Sequence, residues 1–425
     1  MTDTLERPAS NEDREGWKAY WTEQGMSWRT EPEIDDDQQQ RLAEQRATVK
    51  PDVEKGIYPF KGIHLTRADI EWLLASHPSG GMQGPVDWND PCQRSREGLD
   101  VRGAFLQDVN LEGLPLARLH GGVSRSERLH MERWQRSAAA VHMENTSLTN
   151  AHLEGATLNW ALLTGSDLSK THLEAANLNT AHVEGVNFYE AHMEGIDLGY
   201  AFFDAASYLR GAHLFSKEYD GPQLIGVHWG NADLTLIRWE EVKRLGDEQL
   251  ARKARRGGLP GGGDEDAHVQ LDELDRAILA NRQLATALRN QGANEHADRF
   301  AYRAQVLQRT ALRRKHKYFP FLGSFFLWLI AGYGYRPLWS FITYVVVVLG
   351  FAAVYFLLRG NVHPALSPLD AVIFSITSFH GRGFSPGESV RLHNPLTIFA
   401  AVEAIIGLLI EITFIATFTQ RFFAR

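Results

Sequence analysis

The chain has 425 residues, 44 of them basic and 52 acidic, for a formal net charge of −8. That balance argues against generic nucleic-acid binding, and a single cysteine, Cys92, excludes an intrachain disulfide. The N-terminus (MTDTLERPASNEDREGW) is acidic, has no apolar core and does not read as a signal peptide, so the N-terminal bulk is expected in the cytoplasm. Hydrophobic content is 44% overall. The apolar residues concentrate in the last hundred or so positions, which points to several domains rather than one.

Residues 1–98 read as a small N-terminal cytoplasmic cap or adaptor. They hold a tryptophan cluster, Trp17, Trp21 and Trp28, and Thr66 is placed to cap a helix running through Ala68–Ala75. No catalytic arrangement is visible in them.

Residues 99–240 repeat with a period of five. LDVRG, AFLQD, VNLEG and LPLAR come first, an irregular insertion follows at about 120–140, and the period resumes at VHMEN. From Met143 to Tyr208 the third residue of every five is large and apolar, fourteen units in all, and the first is mostly small, as at Ala151, Ala161 and Ala181. This pattern resembles the pentapeptide repeat family. The resemblance implies a right-handed quadrilateral β-helix with four units per coil and the large and small residues pointing inward. One coil cannot bury its own apolar face, so stacked coils share a core.

A second pattern rides on the outward positions. HxE recurs at His142/Glu144, His152/Glu154, His172/Glu174, His182/Glu184 and His192/Glu194. Spacings of ten and twenty place these on two opposite faces. His152, His172 and His192 form one row, stepping about 4.8 Å as stacked strands do. A row can be a metal or pH-sensing surface or a solvated ladder of His–Glu contacts. The pattern favours the ladder, because metal ligands must converge on one point. No cofactor is expected.

Residues 241–267 read as a flexible linker, on the glycines of RKARRGGLPGGGDED (Arg252–Asp266). Residues 268–317 read as a cytoplasmic helical hairpin. Leu271, Leu274, Ile278, Leu284 and Leu288 make one apolar stripe, Gly292 and Asn294 break it, and Phe300, Ala304, Leu307 and Ala311 resume it.

Residues 318–425 read as a membrane domain. Tyr318–Tyr335 is aromatic, apolar and broken by Pro320 and Gly323, which suits an interfacial or re-entrant element. Residues 338–358 and 396–418 are long enough to span, at about 1.5 Å per residue. Basic residues before the first and after the second put both ends in the cytoplasm. Between the spans, residues 368–379 read as a short helix with Ser367 as its N-cap and Pro368 at its first position. Its length, about 18 Å, is too short to cross, so it must dip and return. Residues 380–387 follow it as an irregular loop.

Span, dipping helix, loop and span resemble the two-transmembrane subunit of the potassium channel superfamily, over about Pro337–Phe423. The resemblance implies a tetramer with the loop as ion filter. Thr377, Ser378, Phe379, His380, Gly381, Arg382, Gly383 and Phe384 then stand at the filter. Phe379 replaces the filter threonine, His380 the valine, Arg382 the tyrosine and Phe384 the aspartate, which implies a non-standard selectivity. Arg382 either rings the pore or braces the loop against Asp370 or Glu388; the bracing reading is favoured, since four arginines on one axis repel. Glu403, Gly407 and Glu411 share one face of the second span and are the pore-lining or gate candidates, with Gly407 at a hinge position; for Glu403 a hydrogen bond to the dipping helix is the equal alternative.

The fold class expected is therefore multidomain: a β-helix, a helical hairpin and a two-span α-helical pore domain with a re-entrant loop. The function expected is an ion channel subunit, leaning to cations, whose repeat domain senses, tethers or gates. Its partners are inorganic ions, the lipid of the cell (inner) membrane, three further copies and a cytoplasmic protein on the repeat domain, with no nucleic acid. The alternative is a membrane-anchored repeat scaffold with a non-conducting pore remnant. DNA mimicry is allowed by charge, with eleven acidic against three basic residues in Ala139–Gly221, but membrane tethering argues against it. No nucleophile–base set or metal constellation suggests an enzyme.

Overall fold

The computed structural model describes residues 7–8, 10–124, 127, 131–256, 264–335, 337–358, 366–382 and 395–423. They fall into two compact units, Met1–Phe300 and Ala301–Arg425.

The centre of the first unit is a four-sided β-helix. Isolated parallel bridges join positions one coil apart, for example Asn110↔Ser147↔Asp167↔Asn187 and Thr157↔Asn177↔Asp197. Leu148, Leu153, Leu158, Leu163 and Leu168 are fully buried, as are Ala151 and Ala161. Where the small position carries a hydroxyl, that group donates to a backbone carbonyl: Thr146 Oγ1 to Leu106 O and Thr171 Oγ1 to Leu148 O, both at 2.7 Å. Corners fall at the fifth residue of the unit. Asn145, Asn150, Lys170 and Gly165 all have φ between 55° and 73°, which explains the frequency of glycine and asparagine there.

The insertion leaves the stack undisturbed. Phe105 bridges His142 and His120 bridges Thr157, so the coil before the insertion sits directly on the coil after it. Within the insertion, helix α4 (Arg133–Ala139) docks on the N-terminal segment, with Gln135 Nε2 donating to Glu54 O at 2.6 Å.

Within the run from Met143 to Tyr208 the period slips at the last unit. Tyr208, expected inward, is 39% exposed, and Leu209 is buried in its place. The thirteenth unit is the last in register. Asp204 organises the extra residue: its Oδ1 accepts from Gly185 N, Ala206 N and Ser207 N at 2.8 to 3.0 Å.

Both ends of the β-helix are covered. At the N-terminal end the strand around His64 pairs with Phe105. Behind it lie α1 (Arg14–Glu23), α2 (Asp36–Thr48) and α3 (Arg67–Ala75), followed by a hairpin of β1 (Pro78–Ser79) and β2 (Met82–Gln83). Thr66 caps α3 in a capping box with Asp69. Glu71 ties the segment down. It is fully buried and accepts from Thr30 N, Glu31 N and Arg67 Nε at 2.8 to 3.0 Å.

The C-terminal end corrects the linker expectation. Residues 246–256, assigned to the linker, form helix α5 (Gly246–Arg256), and α6 (Asp264–Asn290) already begins at Asp264. Only the glycine-rich 257–263 between them lie outside the described residues. The physical reason is burial. Leu245, Asp247, Glu248 and Ala251 are covered, and Asp247 Oδ2 accepts from Leu224 N at 2.8 Å. The last coil has no next coil to pair with, so α6 supplies partners. Gln283 Oε1 accepts from Gly226 N at 2.9 Å, and Gln291 Oε1 accepts from Leu234 N at 2.8 Å. Helix α7 (Asn294–Arg314) follows a turn at Gly292, and Phe300 packs edge-on to Trp239.

In the second unit, α8 (Tyr318–Ala331) is short and apolar. Tyr302 and Arg309 of α7 hold Trp328, by a 3.3 Å hydrogen bond and a cation–π contact at 4.5 Å. Among the described residues two helices are long and apolar enough to cross a membrane: α9 (Pro337–Leu357) and α11 (Pro395–Phe423). Between them lies α10 (Pro368–Phe379), capped by Ser367 with Asp370 reaching back to the Ser367 N–H.

Candidate functional site

The polar residues of the second unit meet where α9, α10 and α11 touch. Two apolar layers frame the place. One is Tyr355, Leu366, Ala371, Phe374 and Leu396; the other is Ile330, Val348, Phe379 and Ile410. Between them Glu403 is fully buried. Its Oε2 accepts from the Tyr355 hydroxyl at 2.6 Å, and its Oε1 meets the Ser375 hydroxyl, which also lies 2.9 Å from Val348 O. One carboxyl therefore bonds all three helices. A buried carboxyl needs such partners, since an unpaired one is costly in an apolar interior.

One turn along α11, Gly407 lies against the last turn of α10. A Cβ there would come 2.0 Å from Phe379 O. Both Glu403 and Gly407 are enclosed by their own chain, and of the two readings for Glu403 the hydrogen bond to the dipping helix is the one observed. Gly407 is a close-packing point rather than an exposed hinge.

Glu411, one further turn on, is different. It is partly exposed and pairs with Nδ1 of His380, just past α10. Of the loop candidates, Thr377 donates to carbonyls of its own helix and Ser378 is buried. Phe379 is also buried, with its ring edge-on to Tyr344 at 4.8 Å. Gly381 and Arg382 are exposed, and Arg382 N donates to Thr377 O at 3.0 Å. Asp370 caps its own helix, and among the described residues it makes no ion pair with Arg382. Glu388, Gly383 and Phe384 lie outside the described residues. Sequence reasoning missed Tyr355 and Ser375. A lone tyrosine and serine on apolar helices carry no spacing signal; only the position of Glu403 gives them meaning.

The first unit carries the histidine row. His152, His172, His192 and His213 stack with ring centroids 4.7, 4.7 and 5.0 Å apart, the first three within 4° of parallel. Nδ1 of each of the first three faces its own glutamate Oε1, at 2.9, 3.1 and 3.8 Å. Bonding to Glu154 raises the pKa of His152, and Glu194 does the same for His192. The opposite face has the same pairs at His142 and His182, but Leu162 stands between them.

Comparison with known proteins adds to this. Residues 166–203 match the family model for pentapeptide repeats, in 8 copies. No curated protein sequence matches the chain. Among solved structures, one similar protein is HetL, a pentapeptide repeat protein involved in heterocyst differentiation regulation in Nostoc sp. It is 21% identical at a TM-score of 0.22, over 31% of this chain and 48% of that one, so the chain spans about half its length. A pentapeptide repeat protein of the Arabidopsis thaliana thylakoid lumen is 22% identical at 0.19, over 28% and 70%. One from Cyanothece is 24% identical at 0.11, over 29% and 87%.

Proposed function

We propose that residues 318–425 form one subunit of a tetrameric, ion-conducting pore in the inner membrane, with the repeat unit as a cytoplasmic sensing or tethering domain. One observation carries this reading. Helix α10, with 12 residues and about 18 Å long, is bonded through Glu403 to both helices that can span. A short capped helix held between two spans and ending in the turn at His380–Gly381 is tolerated in a bilayer only where the freed backbone meets protein or water. Phe341, Val346, Ile405 and Leu408 are exposed on the single chain, and lipid or further copies would cover them. The negative end of α10 and the partly exposed Glu411 beside it favour cations.

The test uses the full-length protein in planar bilayers with unequal KCl on the two sides. The expected reversal potential follows potassium, and Glu411→Gln or Arg382→Gln changes the conductance. A reversal potential following chloride would overturn the cation reading. Absence of current in every salt would leave the second reading, a membrane-anchored scaffold with a closed remnant. That reading draws support from Phe379, whose buried ring stands where the filter family has a hydroxyl.

A further inference from the structure

We propose that the stacked histidine face of the β-helix binds one divalent transition-metal ion per chain, through His172, one neighbouring histidine and a glutamate between them. The inference stands apart from the pore reading and concerns only the first unit.

Ligand atoms of His152, Glu154 and His172 lie within 4.8 Å of one another, and so do those of His172, Glu174 and His192. The row thus converges locally, although its sequence reads as a simple ladder. Zinc and its neighbours accept imidazole nitrogen and carboxylate oxygen at about 2.0–2.2 Å, so modest side-chain rotations complete the set.

The carboxylates carry the argument. In each pair Oε1 faces its own imidazole, while Oε2 of Glu154, Glu174 and Glu194 is buried without a hydrogen-bond partner; Glu144 and Glu184 on the opposite face share this feature, and what sets the row apart is the second imidazole within reach of the carboxylate. The Glu154 side chain is only 6% exposed. A buried carboxylate oxygen lacking a donor is unfavourable, and a cation is the partner that relieves it.

The stoichiometry follows from sharing. His172 belongs to both groups, so the row holds one ion, not two. The opposite face provides the comparison. His142 and His182 carry the same glutamates, but Leu162 separates them and removes the second imidazole.

The experiment dialyses chelator-stripped full-length protein in detergent against Zn²⁺ and counts bound ions. Wild type should bind one ion more than His172→Ala, and His182→Ala should match wild type. Co²⁺ should give visible absorption bands that His172→Ala loses. Combining Leu162→His with Thr164→Glu should add one ion, by completing the row on the other face. Circular dichroism reports folding, and if His172→Ala does not fold, the double change His152→Ala/His192→Ala replaces it. Equal binding by wild type and the row variants overturns the proposal, as does an equal loss in His182→Ala.

Discussion

Gly407 and Phe379 meet backbone to backbone: a Cβ on the glycine would stand 2.0 Å from the phenylalanine carbonyl oxygen. This contact sets how closely α11 approaches the end of α10. Gly407→Ala must push the helices apart, at a cost of about 1–3 kcal/mol. The expected readout is a lower melting temperature of the detergent-solubilised protein. Gly350 serves as the control, because nothing lies within 4 Å of its added Cβ. Gly350→Ala should be neutral or slightly stabilising. Equal melting of the two variants would show that the contact does not limit packing.

Glu403 should behave as the bolt of the same bundle. Replacing it with alanine takes the carboxylate from the Tyr355 hydroxyl and leaves Ser375 with Val348 O alone, costing about 1–3 kcal/mol. Glu403→Gln keeps the shape and an acceptor and should lose less. Tyr355→Phe should fall between wild type and Glu403→Ala. Thermal scans of the four proteins in one detergent give the order directly.

Asp247 makes the repeat unit sensitive to pH. Burial, reinforced by Asp197, pushes its carboxyl up to about 7. A raised carboxyl means that the folded state holds the proton more tightly than the unfolded chain does. Its stabilisation is therefore full below the usual carboxylate range and is lost as pH rises toward 7. The raised imidazoles of His152 and His192 act in the same sense. Their contribution is present below the ordinary histidine range and is lost as pH rises through their folded values. The unit should melt higher at pH 5.5 than at pH 8. Asp247→Asn keeps an acceptor for the Leu224 N–H and removes the charge, so it should raise the melting temperature at pH 8 and flatten the profile. A profile unchanged by Asp247→Asn would assign the pH dependence elsewhere.

Glu71 should control the N-terminal cap. It accepts three backbone or guanidinium bonds with no exposure to solvent. Glu71→Ala removes the acceptor of Thr30 N, Glu31 N and Arg67 Nε, at about 1–3 kcal/mol, while Arg67 keeps the carbonyls of Asn110 and Glu112. Limited proteolysis should then cut around Gln24–Glu33 well before it cuts the β-helix. Protection equal to wild type would show that the tryptophan packing holds the cap without it.

Much of this architecture was legible from residue order. The five-residue period named the inward residues from Met143 to Phe203 and placed His152, His172 and His192 in one row, because stacked coils repeat one environment. Ser367, Pro368 and Asp370 marked the start of α10, because a cap is a local interaction. The period failed at Tyr208, where Asp204 absorbs an extra residue through bonds to the neighbouring coil. Composition failed at 246–256, where the glycines of Arg252–Asp266 suggested a linker over 241–267 and the exposed last coil recruited a helix.

By itself, then, the sequence determined the repeating and the local: coil period, histidine row, helix caps and two apolar stretches of spanning length. These depend on neighbours within a few residues, or on one environment repeated coil after coil. Tertiary structure decided the rest: that Glu403 faces inward to Tyr355 and Ser375, that Gly407 touches Phe379, and that Gln283 and Gln291 close the last coil. Each joins residues 28 to 57 positions apart. Such contacts follow from where packed surfaces come to rest, and no spacing along the chain encodes them.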